Sequence, residues 1–301
     1  MNNNVPALRG AMTALITPFR RCEIDWRCLD DLIDRQLDGG IDWIVPCATT
    51  GESPTLSPAE QAQILDAVIT RAGKRCPVMA GTGTHSTTTT IERTKAAQRA
   101  GAKAALIVTP YYNRPSQEGL FRHYAAVADA VDLPIVLYNV PARTGVHLDN
   151  DTVIRLHEQF PHIAAIKHAT GSVAGVTELL RQSDIIVLSG DDAMTWPMMS
   201  LGAVGVISVI SNLVPRLVKS MMASAMAGNH SAAKKHHRQI DMLSRELSKL
   251  GSNPVPIKTA MACMSITLAE FRLPLCPLDE QATDAIERLL KRLGILEAVH
   301  A

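Results

Sequence analysis

Residues 134–168 read PIVLYNVPARTGVHLDNDTVIRLHEQFPHIAAIKH. Two short apolar runs, Pro134–Asn139 and Ile163–His168, flank a segment of helical period, Asp149–Glu158. Strand, helix and strand in that order, with short joints, imply two parallel strands linked by a right-handed crossover. Outward from this unit the same alternation continues. The other strand-like runs are Ala11–Thr17, Trp43–Thr49, Pro77–Gly81, Ala104–Thr109, Ile185–Ser189 and Gly205–Ser211. The helical segments between them are Trp26–Asp38, Pro58–Ala72, Thr87–Ala100, Glu118–Val131, Ala174–Arg181, Ala193–Ser200 and Pro215–Ala227. Eight such units in about 220 residues predict a closed (β/α)₈ barrel, residues 1–228. An open doubly wound sheet is the runner-up, but Gly81-Thr82-Gly83 lacks the third glycine of a dinucleotide turn and has Ser86 in its place.

Local signals agree with these boundaries. Ser57, Pro58 and Glu60 form a capping-box pattern, and Asp191 or Asp192 can cap the seventh helix. Helix stops are expected at Gly39-Gly40, Gly73, Gly101 and Gly228. After the eighth unit the rhythm becomes purely helical: Ser231–Leu250, Pro256–Met264 and Asp279–Leu293. Residues 229–301 are therefore read as a C-terminal helical appendage.

The 301 residues are 47% hydrophobic and 20% charged, with net charge +1. That composition is ordinary for a globular protein and gives no reason to expect nucleic-acid or membrane partners. The densest basic cluster, Lys234-Lys235-His236-His237-Arg238, reads as a solvated helix face. Six cysteines without CxxC spacing suit a reducing cytoplasm better than a disulfide framework. Residues 1–10 do not read as a signal peptide. No HExxH or other metal-ligand spacing occurs, so neither a metal nor a cofactor is expected.

Barrel active sites lie at the C-terminal ends of the strands. Reactive residues gather there: Thr49-Thr50-Gly51-Glu52-Ser53, Thr109-Pro110-Tyr111-Tyr112-Asn113, Tyr138-Asn139 followed by Pro141 and Arg143, and Lys167-His168. Lys167 follows the buried-looking strand Ile163–Ile166, with small Ala165 below it on the same side. A desolvated amine favours its neutral form, which can attack a ketone and form an imine. The plainer alternative is a lysine snorkelling from the strand end to solvent. Tyr138 suits proton relay, against a core tyrosine with a satisfied hydroxyl. Arg143 suits a substrate carboxylate, against an exposed loop arginine. Thr49, Thr50 and Gly51 offer hydroxyls and amides, against a simple strand end and turn. Asp191-Asp192 resembles a catalytic pair, but helix capping is the better reading.

Together these motifs resemble the dihydrodipicolinate synthase family of pyruvate-dependent class I aldolases. The resemblance runs from Thr13-Ala14-Leu15-Ile16-Thr17-Pro18-Phe19 to Asn253-Pro254-Val255-Pro256-Ile257-Lys258, with Ala48 where many members have glycine. It implies Lys167 as the Schiff-base lysine and Tyr138, Thr49 and Tyr112 as a proton relay, Tyr112 reaching in from a neighbouring subunit. It implies Thr50 and the backbone of Ile207 as contacts of pyruvate, and Arg143 as the contact of a second carboxylate. The implied substrates are pyruvate and L-aspartate 4-semialdehyde, the implied route leads to diaminopimelate and lysine, and the implied assembly is a homotetramer. A neuraminate lyase or sugar-acid aldolase is disfavoured by Arg143-Thr144-Gly145. A non-catalytic keto-acid-binding paralogue is disfavoured by the retained Lys167, Tyr138, Thr49 and Tyr112. Lysine-regulated members have a second pocket matched here by Ser53 and Tyr111. This chain has Pro58, Gln61 and His85 at other positions of that pocket, and Thr89 where a glutamate would meet the ligand's ammonium group. Weak or absent inhibition by lysine is the implied outcome.

Overall fold

A computed structural model describes residues 7–296. Residues 1–6, part of the segment read as carrying no leader, and 297–301, the end of the appendage, lie outside the described residues.

Eight parallel strands form the centre: β1 Gly10–Ala14, β2 Trp43–Val45, β3 Met79–Gly81, β4 Ala104–Val108, β5 Ile135–Asn139, β6 Ile163–His168, β7 Ile186–Ser189 and β8 Gly205–Ser208. Their order in the sheet is β2-β1-β8-β7-β6-β5-β4-β3. A parallel bridge between Ile44 and Val78 joins the two ends, with Gly81 N–H donating to Pro46 O at 3.0 Å. The sheet thus closes into the expected (β/α)₈ barrel. The crossover helices are α1 Trp26–Asp38, α2 Pro58–Ala72, α3 Thr87–Ala100, α4 Gln117–Ala128, α5 Asn150–Gln159, α6 Val173–Gln182, α7 Thr195–Met199 and α8 Pro215–Met226. Helices α9 His230–Leu250, α10 Val255–Cys263 and α11 Glu280–Arg292 follow.

The caps explain where several helices begin and end. Ser57 and Glu60 make the full capping box of α2, and Gly101 ends α3 in the left-handed conformation at φ 97°. Asp191 caps a 3₁₀ turn, Asp192–Met194, which leads into the short α7. Most strands are shorter than expected, β2 most of all at Trp43–Val45 against Trp43–Thr49; in β1 and β8, expected as Ala11–Thr17 and Gly205–Ser211, side chains take over from ladder partners. Beyond β1, Asn212 Nδ2 donates to Ala14 O and Ile16 N–H donates to Asn212 Oδ1. Beyond β8, Asp192 accepts the amides of Val209 and Ile210, and the chain turns into a 3₁₀ segment, Ile210–Asn212. A short hairpin, Phe19–Arg20 with Glu23–Ile24, is an addition that periodicity did not indicate.

Met12, Trp43, Met79, Leu106, Val136 and Ala165 are among the side chains that fill the barrel interior. A second core between sheet and helices is shared with the C-terminal helices, which contribute Ile240, Leu243, Ile257, Met261 and Ile286 to the same cluster as residues of α1 and α2. The basic cluster of α9 is only partly the solvated face expected. Lys234, Lys235 and Arg238 are exposed, but His237 is buried, with its ring 5.9 Å from that of Trp196.

Candidate active site

The register of β5 against β6 sets Tyr138 beside Lys167 and Asn139 beside His168. Alternation then divides the two pairs between the two faces of the sheet. Lys167 is 4% exposed and Tyr138 is 6% exposed, and the Lys167 Nζ stands 4.1 Å from the centre of the Tyr138 ring. Space for the long lysine chain comes from Gly190 after β7. A Cβ there would lie 2.7 Å from the Ala169 Cβ and 3.0 Å from the Lys167 Cε. Ala165, fully buried two residues below, fills the interior under it.

Lys167 opens into a chamber of about 350 Å³ at the C-terminal end of the barrel. Thr50, Tyr138, Arg143, Gly190, Asp192 and Asn253 are among the residues that enclose it. Asn253 comes from the turn before α10, so the C-terminal helices complete the wall. Its Nδ2 donates to Thr50 Oγ1 at 2.9 Å, and its carbonyl accepts from Arg143 Nη2 at 3.0 Å. Asn253 Oδ1 is buried without a partner among the described residues, which leaves an acceptor for a ligand. Arg143 belongs to a single helical turn, Pro141–Thr144, stopped by Gly145 at φ 72°. Its exposed guanidinium can serve an anionic ligand at the chamber mouth.

Asp192 does more than the capping expected of the Asp191-Asp192 pair. Ser208 Oγ donates to Oδ1 at 2.5 Å, and the amides of Val209 and Ile210 donate to Oδ2 at 2.9 and 3.1 Å. Burial pushes its carboxyl pKa up, although these three donors oppose the shift. The carboxylate thereby fastens the backbone after β8 to the top of β7. Val209 and Ile210 line the chamber at that point, while Ile207 packs below it in the barrel interior.

Thr49, half-buried, faces a neighbouring cavity of about 430 Å³, and Tyr138, Val140 and Arg143 line both spaces. No hydrogen bond joins the Thr49 and Tyr138 side chains among the described residues. Tyr112 stands apart from both spaces: it is 94% exposed and sits at φ 74°. The structure therefore brings Lys167, Tyr138, Thr50 and Arg143 to one chamber, sets Thr49 beside it, and leaves Tyr112 on the outer surface of its own chain.

Glu52, in the same loop as Thr49 and Thr50, turns away from the mouth. At φ 55° its carboxylate enters a closed site where Lys258 Nζ donates to Oε1 at 2.6 Å, both side chains being fully buried. Lys258 also donates to Thr17 O and Glu270 O, at 3.0 and 2.7 Å. Its ammonium lies 4.5 and 4.7 Å from the ring centres of Phe19 and Phe271. This pair ties the second loop of the barrel to α10. Sequence reasoning missed it, and missed the contact roles of Asn253, Gly190 and Asp192, although each lies within or beside a segment it had quoted.

A barrel with a buried lysine at the end of its sixth strand, facing an open-mouthed chamber with an arginine at its rim, has the makings of a carbonyl-capturing enzyme. A family model described as the dihydrodipicolinate synthetase family matches residues 7–293. The 4-hydroxy-tetrahydrodipicolinate synthase of Geotalea uraniireducens (strain Rf4) is 47% identical over 290 residues, 96% of this chain and 99% of that one. The crystal structure of dihydrodipicolinate synthase from Aquifex aeolicus superposes with a TM-score of 0.94 at 39% identity, covering 97% of this chain and 100% of that one. The chloride-inhibited dihydrodipicolinate synthase from Acinetobacter baumannii, complexed with pyruvate, gives a TM-score of 0.93 at 44% identity and covers 96% of this chain and 100% of that one. The chain belongs to the dihydrodipicolinate synthetase family.

Proposed function

We propose that this chain is a lyase of the Schiff-base aldolase type that acts as a 4-hydroxy-tetrahydrodipicolinate synthase, joining pyruvate to L-aspartate 4-semialdehyde on the route to diaminopimelate and lysine. The observation that carries the reading is the Lys167 amine: buried, free of hydrogen-bond acceptors among the described residues, and facing a chamber sized for a small keto acid. Near-full-length relatives that bear the synthase name support it. So does the relative complexed with pyruvate.

The amine attacks the pyruvate ketone carbon and the carbinolamine loses water to give the imine. Loss of a methyl proton makes an enamine, whose carbon attacks the aldehyde of the second substrate. Tyr138, whose ring centre lies 4.1 Å from the amine, moves protons at the carbinolamine. Thr49 and Tyr112 complete the relay, Tyr112 from a neighbouring copy, consistent with its exposure on its own subunit. Thr50 holds the pyruvate carboxylate, the backbone at Ile207 also touches pyruvate, and Arg143 takes the carboxylate of the semialdehyde. The working form is a homotetramer in the cytoplasm. No helix among the described residues is long and apolar enough to cross a membrane.

Borohydride tests the central step. Reduction in the presence of pyruvate should give a stable adduct, seen in the intact mass and mapped to Lys167. No adduct, or one on another lysine, sinks the mechanism. Parallel assays with aspartate semialdehyde and N-acetylmannosamine, each with pyruvate, then decide the acceptor.

A further inference from the structure

The loop after β2 carries Thr49 and Thr50 between two residues of uncommon backbone shape. Cys47 at φ 56° and Glu52 at φ 55° both stand in the left-handed region, which residues other than glycine rarely adopt. Such conformations persist only where the surroundings hold them. At the Glu52 end the hold comes from the C-terminal appendage, 206 positions away in the chain. Lys258 Nζ donates to Glu52 Oε1 at 2.6 Å and to Thr17 O at 3.0 Å, and the Thr17 hydroxyl donates in turn to Gly51 O at 2.7 Å. The Gly51–Glu52 peptide is thus fastened through its own carbonyl and through the side chain that follows it. Gly51 leaves no slack, since a Cβ there would lie 3.0 Å from Leu15 O and 3.3 Å from Cys47 N. Further along the loop, the Arg272 guanidinium donates to Thr55 O at 3.2 Å and to the Glu60 carboxylate at 2.9 and 2.6 Å.

Thr50 stands immediately before the fastened peptide. It is 2% exposed and lines the Lys167 chamber. Its Oγ1 accepts from Asn253 Nδ2 at 2.9 Å, and its hydroxyl hydrogen has no acceptor among the described residues. One short stretch, residues 253–258, therefore orients Thr50 twice: Asn253 holds the side chain, and Lys258 holds the backbone that carries it. Lys258 itself is fully buried and is not among the residues that line the chamber. A hydroxyl that must meet a carboxylate works only in the right place, and a misplacement of about 1 Å caused far from the chemistry can cost on the order of 10²-fold.

We propose, building on the function given above, that Lys258 is a positioning residue for pyruvate: through Glu52 and Thr17 it sets the Thr50 hydroxyl for the pyruvate carboxylate, without touching the substrate. The C-terminal helices are then part of the substrate-binding machinery as well as of the core.

The test separates placement from stability. Lys258→Met combined with Glu52→Leu removes both charges together, so the loop loses its tether while no ion is left unpaired in the core. The urea midpoint and the circular dichroism spectrum establish that this double variant is folded. Borohydride trapping on Lys167 is then titrated with pyruvate and read by intact mass. The double variant should need roughly tenfold to hundredfold more pyruvate for half-maximal trapping, the usual worth of a charge-assisted hydrogen bond. Its KM for pyruvate should rise in step, while kcat and the KM for aspartate semialdehyde, both at saturating pyruvate, should move far less. Glu52→Gln, which keeps an acceptor for Lys258 where the carboxylate stood, should recover most of the lost affinity. Parent-like trapping in the folded double variant overturns the proposal, and so does a loss in Glu52→Gln as large as in the double variant. Should the double variant not fold, Glu52→Asp decides. It keeps the charge but shortens the arm by one methylene, so the loop must shift to keep the pair, and parent-like trapping there also overturns the proposal. Failure of the proposed function would look different, because the parent protein would then give no adduct at any pyruvate concentration.

Discussion

Lys167 and Lys258 are both nearly inaccessible, 4% and 0% exposed, yet their ammonium groups meet opposite surroundings. Lys258 has a carboxylate, two carbonyls and two aromatic faces around it. Lys167 has the face of one tyrosine and, among the described residues, no acceptor. Burial alone pushes a lysine towards the neutral form, and in Lys258 the Glu52 partner opposes that push. The two residues teach that burial does not make a lysine a nucleophile. What matters is whether the fold supplies acceptors for the charge or leaves the amine facing a space where an electrophile can stand.

Removing each amine separates the two roles most sharply. Lys167→Ala should abolish borohydride trapping and turnover, with the denaturation midpoint held, since among the described residues no hydrogen bond ends on that amine. Should the variant still turn over substrate, Lys167 would revert to a strand-end lysine. Next in size is the neighbour that faces Lys167. Tyr138→Phe keeps the ring against the amine and removes only the hydroxyl, so turnover should fall roughly 10²–10⁴-fold with an unchanged circular dichroism spectrum. Near-normal turnover would make the tyrosine a packing residue.

Lys258 should behave in the reverse way. Lys258→Met leaves Glu52 charged and buried, which typically costs about 3–5 kcal/mol. The double variant Lys258→Met with Glu52→Leu should recover much of that loss, because the penalty lies in the unpaired charge. Urea denaturation of the single and double variants measures both values. A single variant as stable as the parent would mean that the pair is not what holds the second loop against α10.

The contrast also marks what could be read along the chain. Lys167 and Tyr138 were legible because each ends a strand in adjacent units, and strand order in a barrel follows chain order; the register then places them side by side. The eight-unit fold was legible for the same reason, since its periodicity is local. Lys258 was quoted only as part of a family motif, and nothing nearby in sequence says that its partner is Glu52, 206 positions earlier. Asn253 against Thr50 has the same character at 203 positions. Contacts between distant segments depend on how the C-terminal helices and the loop walls pack, and periodicity carries no record of that.

The smallest expected effect concerns two buried groups that, like Lys167, carry little compensation for a charge. His168 follows Lys167 in β6, and burial, with His147 nearby, pushes its pKa down to about 4. His123 in α4 is likewise lowered by burial to about 4; its Nδ1 meets Thr87 Oγ1 at 2.9 Å, and its Nε2 is buried with no partner among the described residues. Protonating either ring buries a cation: His123 Nε2 has no acceptor among the described residues, and the His168 nitrogens have only the Thr170 hydroxyl, at 3.5 and 3.4 Å. The ordinary value is 6.5, so between 6.5 and about 4 the unfolded chain binds protons that the folded chain does not. Stability is then complete above that window and falls as pH falls through it, by up to roughly 3 kcal/mol for each ring. Urea midpoints measured down through the window should decline. The decline should be shallower in His168→Asn, which removes one of the two titrating rings. A midpoint that holds level, or an identical slope in the variant, would mean that these histidines accept their protons inside the fold. The barrel would then tolerate an uncompensated cation beside Lys167 more readily than the contrast with Lys258 implies.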